Sequence, residues 1–274
     1  MLEKVRAILA HYQLQTELTP FFEYDTGNSY ILSVHGNDAL PLWYRLRSLA
    51  AESGLWQVIL GTEPSFFEHR YRLEEHREAS ASGKIDLTTS IEASLKQSPL
   101  AWFRHDRAPF TWKDLPSQEE IDAEPSSQLE RPEPNWQLAL DPYQMETNVF
   151  SIPTEPNIFE MDDGPEMRAA SNLFIGLFPT KKAWHIPAYL KLEAFNDAPD
   201  LLDHLCVWRW WHSQYRAEIV GVAFNIIEGW LARELSAPAL QERLFWEEQQ
   251  YCSELSEDAI RYPAQSWVLY FYWN

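Results

Sequence analysis

The sequence predicts an α+β fold: a mixed, largely antiparallel sheet packed with helices and carrying a long acidic, proline-rich insert. Three observations predict it. Segments of helical spacing and short strand-like runs are interspersed along the chain, and two pairs of runs meet at turn residues, as hairpins do. Hydrophobic residues make up 45% of the 274 residues and aromatics 14%, with 13 Trp, which is ample for a core and excludes a wholly disordered chain. Residues 113–166 break the pattern with 2 basic against 14 acidic side chains and eight prolines. Proline removes backbone donors and like charges repel, so this stretch is expected to be an extended connector or irregular insert. It divides the chain into an N-terminal α/β part, 1–112, the connector, 113–166, and a C-terminal α+β part, 167–274.

The elements follow in order. Leu2, Val5, Ile8, Leu9 and Tyr12 recur at helical spacing and predict a short first helix. Phe21 to Tyr24 and Tyr30 to Val34 read as strands joined through Asp25-Thr26-Gly27-Asn28. Leu42, Leu46, Leu49 and Ala50 form the next helical stripe, with Gly54 where a C-terminal cap belongs. Leu55 to Leu60 reads as a buried strand closed by Gly61, and Glu63 to Lys96 as helix interrupted around Ser80-Ala81-Ser82-Gly83. Beyond the connector, Leu173 to Phe178 is an apolar strand ended by Pro179. Asp197 or Asp200 caps a helix in which Leu201, Leu205, Trp208, His212 and Tyr215 share a face. Glu218 to Phe224 and Ile226 to Arg233 form a hairpin hinged near Asn225. Ala239 to Tyr251 is a helix with Leu240, Leu244, Glu247 and Tyr251 along one side. Trp267 to Trp273 carries apolar residues on both faces and is expected in the middle of a sheet.

Charge narrows the function. The formal net charge is −19, and the connector alone carries −12 of it. Such a charge repels phosphate backbones and anionic membrane surfaces, and it favours a basic protein partner. The opening Met1 to Leu9 mixes charges into its apolar positions and lacks a signal-peptide core. The two cysteines, Cys206 and Cys252, are no disulfide framework. The expected compartment is the cytoplasm.

The densest polar cluster is His204, Cys206, His212, Tyr215, Glu218 and Cys252. On a helix His204 and His212 are two turns apart, about 12 Å, too far to ligate one zinc ion. No metal site and no cofactor is expected. Cys252 with His212 as base and Glu218 as orienter has the residue types for thiol chemistry, with Tyr215 beside them. Against this, Cys252 follows a helix C-terminus, where the dipole disfavours a thiolate. The pairs Glu218/Glu228 and Glu247/Glu248 could serve as acid and base, or simply be solvated at the surface. Trp208, Trp210 and Trp211 cannot face one way on a helix. Trp210 is expected to project beside Arg209, residue types enriched in interface hot spots.

The run Trp211-His212-Ser213-Gln214-Tyr215-Arg216-Ala217-Glu218 resembles the Trp-His-x-x-Tyr-x-Ala-Glu run of a bacterial family, domain of unknown function 4253. Glu248-Gln249-Gln250-Tyr251-Cys252, the aromatic stretch Trp267 to Asn274 and Asn196-Asp197-Ala198-Pro199 are similar to the same family, as is Gly54 to Gly61 upstream. Ala198 stands where the family has cysteine, and Asn274 where it tends to have an acid. The resemblance covers residues 185–274 and implies no activity.

The expected function is therefore a non-catalytic binding or neutralising protein. Its sharpest form is an immunity-type inhibitor occluding a basic protein toxin. Glu119, Glu120, Asp122, Glu124, Asp162 and Asp163 would steer the partner, with Arg209 and Trp210 as anchors. The alternative is a small-molecule hydrolase or transferase using His212, Tyr215, Glu218 and Cys252. A scaffold subunit is a third reading, and the sequence leaves the oligomeric state open.

Overall fold

The computed structural model describes residues 2–11, 17–103, 172–193, 198–223, 226–232, 235, 238–252 and 268–273. The connector, with Glu119, Glu120, Asp122, Glu124, Asp162 and Asp163, lies outside the described residues.

The chain begins with helix α1 (Leu2–His11), the hairpin β1 (Thr19–Tyr24) and β2 (Gly27–His35), and helix α2 (Gly36–Arg47). Helix α3 (Ala50–Ser53) follows, then strand β3 (Trp56–Ile59) and helices α4 (Glu63–Ala79), α5 (Thr88–Leu95) and α6 (Pro99–Trp102). After the connector come β4 (Asn172–Phe178), a 3-10 turn at Ala183–His185, α7 (Ile186–Tyr189) and α8 (Leu201–Tyr215). The hairpin β5 (Ala217–Ala223) and β6 (Ile226–Leu231), helix α9 (Pro238–Tyr251) and β7 (Val268–Tyr272) complete the described chain. The fold is mixed α+β, as the alternation of signals predicts. No described helix is long and apolar enough to cross a membrane.

The seven described strands form one sheet in the order β1-β2-β4-β3-β5-β6-β7. Neighbours are antiparallel except β3 and β5, which are parallel and meet at Ile59 and Gly221. Strand β4 threads between β2 and β3, with Leu32 opposite Ile175 and Val58 opposite Gly176. The division at 112 and 167 is therefore a division of the chain, and the sheet crosses it. The C-terminal strand corrects an expectation: β7 pairs with β6 and ends the strand order. An apolar pattern reports covered faces, not paired edges.

Period-two alternation sorts the side chains onto two cores. Trp56, Val58, Ile219, Ile227, Leu269 and Phe271 face the layer of α4 to α9. Ile59, Val220, Ile226 and Trp230 face α1 and α2, where Val5, Leu9, Trp43 and Leu46 close the second core. Gly54 caps α3 in the left-handed region at φ 69°, donating its N–H to the Ala50 carbonyl as the sequence suggests. Helix α8 starts on Asp200, whose side chain accepts from the Asp203 N–H, and stops at Arg216 at φ 51°. A non-glycine residue held there reverses the chain within one residue, so α8 lies directly over the strand it precedes. Gly229 makes room for this packing, because a Cβ on it would sit 2.6 Å from the Trp208 ring.

Candidate functional site

Helix α8 is buried on every side from His204 to Trp211. It runs between α5 and α6, the sheet and α9, so its apolar residues need no single stripe. Trp210 consequently does not project from the surface: it is fully buried, as is Trp211. Arg209 is also buried and donates through Nη2 to the Gln97 carbonyl at 2.6 Å. Neither residue is a surface anchor.

What the two indoles reach is Glu247. Its Oε1 accepts from Trp210 Nε1 and from Arg243 Nε, both at 2.9 Å. Its Oε2 accepts from Trp211 Nε1 at 2.9 Å and from the Tyr215 hydroxyl at 3.0 Å. Adjacent residues on a helix diverge by about 100°, yet one carboxylate spans the divergence by presenting an oxygen to each indole. The Arg243 guanidinium also lies 4.6 Å over the Trp210 ring. Burial pushes the Glu247 carboxyl up from its ordinary range, and Arg243 and the N–H and O–H donors pull it back. Burial likewise pushes the Tyr215 hydroxyl far up, with Glu247 beside it, so it stays a donor. Glu248 is buried with no hydrogen-bond partner for either oxygen among the described residues, and burial and neighbouring Glu247 hold it far above the ordinary carboxylate range.

A second buried junction lies one turn away. Tyr251 Oη receives the Trp208 Nε1–H at 3.0 Å and lies 2.5 Å from His204 Nδ1. The indole can only donate, so Tyr251 Oη accepts from Trp208 and shares a second hydrogen bond with His204 Nδ1. Burial pushes His204 down to about 3 and so favours its neutral form.

The opposite face of the sheet holds Glu218. Its carboxylate takes both prongs of the Arg47 guanidinium from α2, Nη2 to Oε1 at 2.8 Å and Nε to Oε2. Arg47 stacks 4.8 Å over Trp230, the register partner of Glu218 on β6. The four acids that could have been solvated at the surface are all buried: Glu218, Glu228, Glu247 and Glu248. Strand and helix geometry put the first pair on the α1/α2 face and the second pair on the other.

The polar members of the thiol constellation are engaged elsewhere. Tyr215 is bonded to Glu247, Glu218 is bonded to Arg47 through the far face, and His212 Nδ1 donates to the Ala217 carbonyl at 3.2 Å. Cys252 is buried at the end of α9, its N–H on the Glu248 carbonyl. Of these four only His212 is reached by solvent. Burial also pushes the Cys206 thiol up to about 11. Sequence reasoning missed Arg47 and the hub role of Glu247, although Glu247 stands on the apolar stripe Leu240-Leu244-Tyr251, itself the sign of a buried acid. It also missed His185, whose Nδ1 is 2.9 Å from the Thr180 hydroxyl, and which burial, Lys182 and His212 push down to about 3.

No curated protein and no solved structure matches the chain. One family model does: residues 174–274, which carry β4 to β7, both buried aromatic junctions and Glu218, match Domain of unknown function (DUF4253).

Proposed function

We propose that this protein is a non-catalytic binding protein that neutralises a basic protein partner by occlusion, with immunity to a bacterial protein toxin as its sharpest form. The observation that carries the reading is the fate of the candidate catalytic groups. Tyr215 and Glu218 are committed to separate structural bonds on opposite faces of one sheet, and Cys252 is buried. Acid–base or nucleophilic catalysis needs such groups convergent and open to a substrate. A net charge of −19 supports the nature of the partner, since an acidic surface speeds encounter with a basic one and selects against other acidic proteins. In this reading the protein acts in the cytoplasm, and the connector acids Glu119, Glu120, Asp122, Glu124, Asp162 and Asp163 steer the partner.

The test is retention of a specific basic protein from host lysate at low salt, with the full chain as bait. The expected result is one such partner, released as salt rises. Neutralising the six connector acids to Gln or Asn should weaken retention without lowering the melting temperature. A bait that retains no specific partner at low salt contradicts the reading.

A further inference from the structure

The outer face of α4 carries two large exposed rings, Phe67 at 50% and Tyr71 at 64% exposure. They are four residues apart, and four residues beyond them on either side stand Glu63 and Glu75, both exposed. Glu63-Phe67-Tyr71-Glu75 is thus one continuous i±4 ridge, about 18 Å long at ~1.5 Å per residue, apolar at the centre and anionic at both ends. The inward residues Ser65, Phe66, His69 and Leu73 are buried, so the ridge is the side of α4 that the sheet does not use.

Two of the other acids of α4 are engaged, Glu68 with Arg72 and Glu74 with Arg77, while the exposed Glu78 adds its charge to the Glu75 end of the ridge, close enough to act on Tyr71. Glu63 and Glu75 have no cationic partner among the described residues, although Glu75 accepts the Tyr71 hydroxyl. Beside the ridge, Phe66, Arg70 and Glu74 line one wall of a cleft of about 530 Å³ floored by Phe21 and Phe174.

We infer that the α4 ridge is a docking surface for a basic amphipathic helix of the partner protein. Its apolar groove would take Phe67 and Tyr71, and a Lys or Arg at each end would meet Glu63 and Glu75. Three features select that occupant. The i±4 row is the ridge that helices insert into one another's grooves. Aromatic rings at the centre of a polar rim are the arrangement of binding hot spots. The ridge carries carboxylates at its two ends, Glu63 at one and Glu75 with Glu78 at the other, which sets the sign and the approximate spacing of the partner's charges. The inference rests on the proposed binding function and adds the surface through which it works.

The full chain is titrated with a labelled synthetic 18-residue peptide that places Leu on one helical face and Lys on the other. The expected result is saturable binding that F67A/Y71A weakens by about tenfold or more. E63Q/E75Q should weaken it less and flatten its salt dependence. Both pairs are exposed, and urea midpoints equal to wild type show that the losses are not unfolding. Equal binding by F67A/Y71A, or by a scrambled peptide of the same composition, overturns the inference. So does a benzoylphenylalanine at position 67 that crosslinks, without peptide, to residues 104–171 of its own chain or to a second copy. The two proposals fail separately. A host partner kept by F67A/Y71A but lost on neutralising the connector overturns the ridge and leaves the function. Peptide binding through the ridge with no host partner captured overturns the function and leaves the ridge.

Discussion

Each face of the sheet buries a glutamate that is ion-paired with an arginine, and the two surround it differently. On the α1/α2 face Glu218 meets one full charge, the Arg47 fork, with Trp230 against the guanidinium. On the α8/α9 face Glu247 collects two indoles, a phenol and one guanidinium nitrogen, donors drawn from two helices. The ion pair is a two-body arrangement that an apolar pair of similar volume can replace. The Glu247 junction is a network, in which each donor is placed only while the carboxylate is present. The difference teaches which ion pair an apolar pair can replace and which it cannot.

The largest effect should come from Glu247→Ala. It strands the two indole N–H groups, the Tyr215 hydroxyl and Arg243 in the core, and a loss of about 3–5 kcal/mol in urea unfolding is expected. A loss below about 1 kcal/mol would show that the network is no network. Arg47→Met should cost a similar amount, about 3–5 kcal/mol, by leaving Glu218 unpaired. The comparison sharpens in the double change: Arg47→Met with Glu218→Met should recover most of that stability, whereas pairing Glu247→Met with Arg243→Met should not, because three further donors remain stranded.

Acidity acts on the α4–α9 layer through its histidines. His204 is pushed down to about 3, and His69, whose Nε2–H donates to the Val222 carbonyl at 3.0 Å, down to about 4. Their folded values lie below the unfolded 6.5, so the unfolded chain takes up protons first. Stability is full above pH 6.5 and is lost as pH falls through that window toward 3 to 4, by about 1.4 kcal/mol per unit for each histidine. His69→Gln should flatten the slope of unfolding free energy against pH by about one proton. An unchanged slope would mean His69 already titrates normally in the fold. Glu248 has the opposite sign: its raised folded value means stability is lost as pH rises above the ordinary carboxylate range. Glu248→Met should therefore stabilise more at pH 8 than at pH 4. The smallest effect is Asp200→Ala, about 1 kcal/mol from loss of the α8 cap, read from the same urea midpoints.

Much of the fold was legible because local patterns decide it. The turn at Asp25-Thr26-Gly27-Asn28, the Gly54 cap, the break after Ala79 and the Asp200 cap all stand where turn and cap chemistry put them. Elements set by distant neighbours were not. The insertion of β4 between β2 and β3 depends on pairings across more than a hundred residues, and the place of β7 at the end of the strand order depends on a return to β6 across 38 to 46 residues. The site divides in the same way. Glu247 stands on an apolar stripe, the one local sign of its burial, and it was nevertheless expected to be solvated or to serve in an acid–base pair. Trp210 was expected to project, because elements distant in the chain cover α8 on the side that no local pattern marks as buried. The Arg47–Glu218 pair spans 171 residues and exists only because β3 carries the N-terminal part against β5, which no local period reveals.

We propose that the buried polar residues of the C-terminal third hold the fold together. Urea unfolding of Tyr215→Phe and Glu218→Gln in the full chain tests it most directly. The account predicts a lower midpoint for both, since each leaves a buried partner unsatisfied in its own face of the sheet. Midpoints equal to wild type in both would contradict it and return Tyr215 and Glu218 to the catalytic reading.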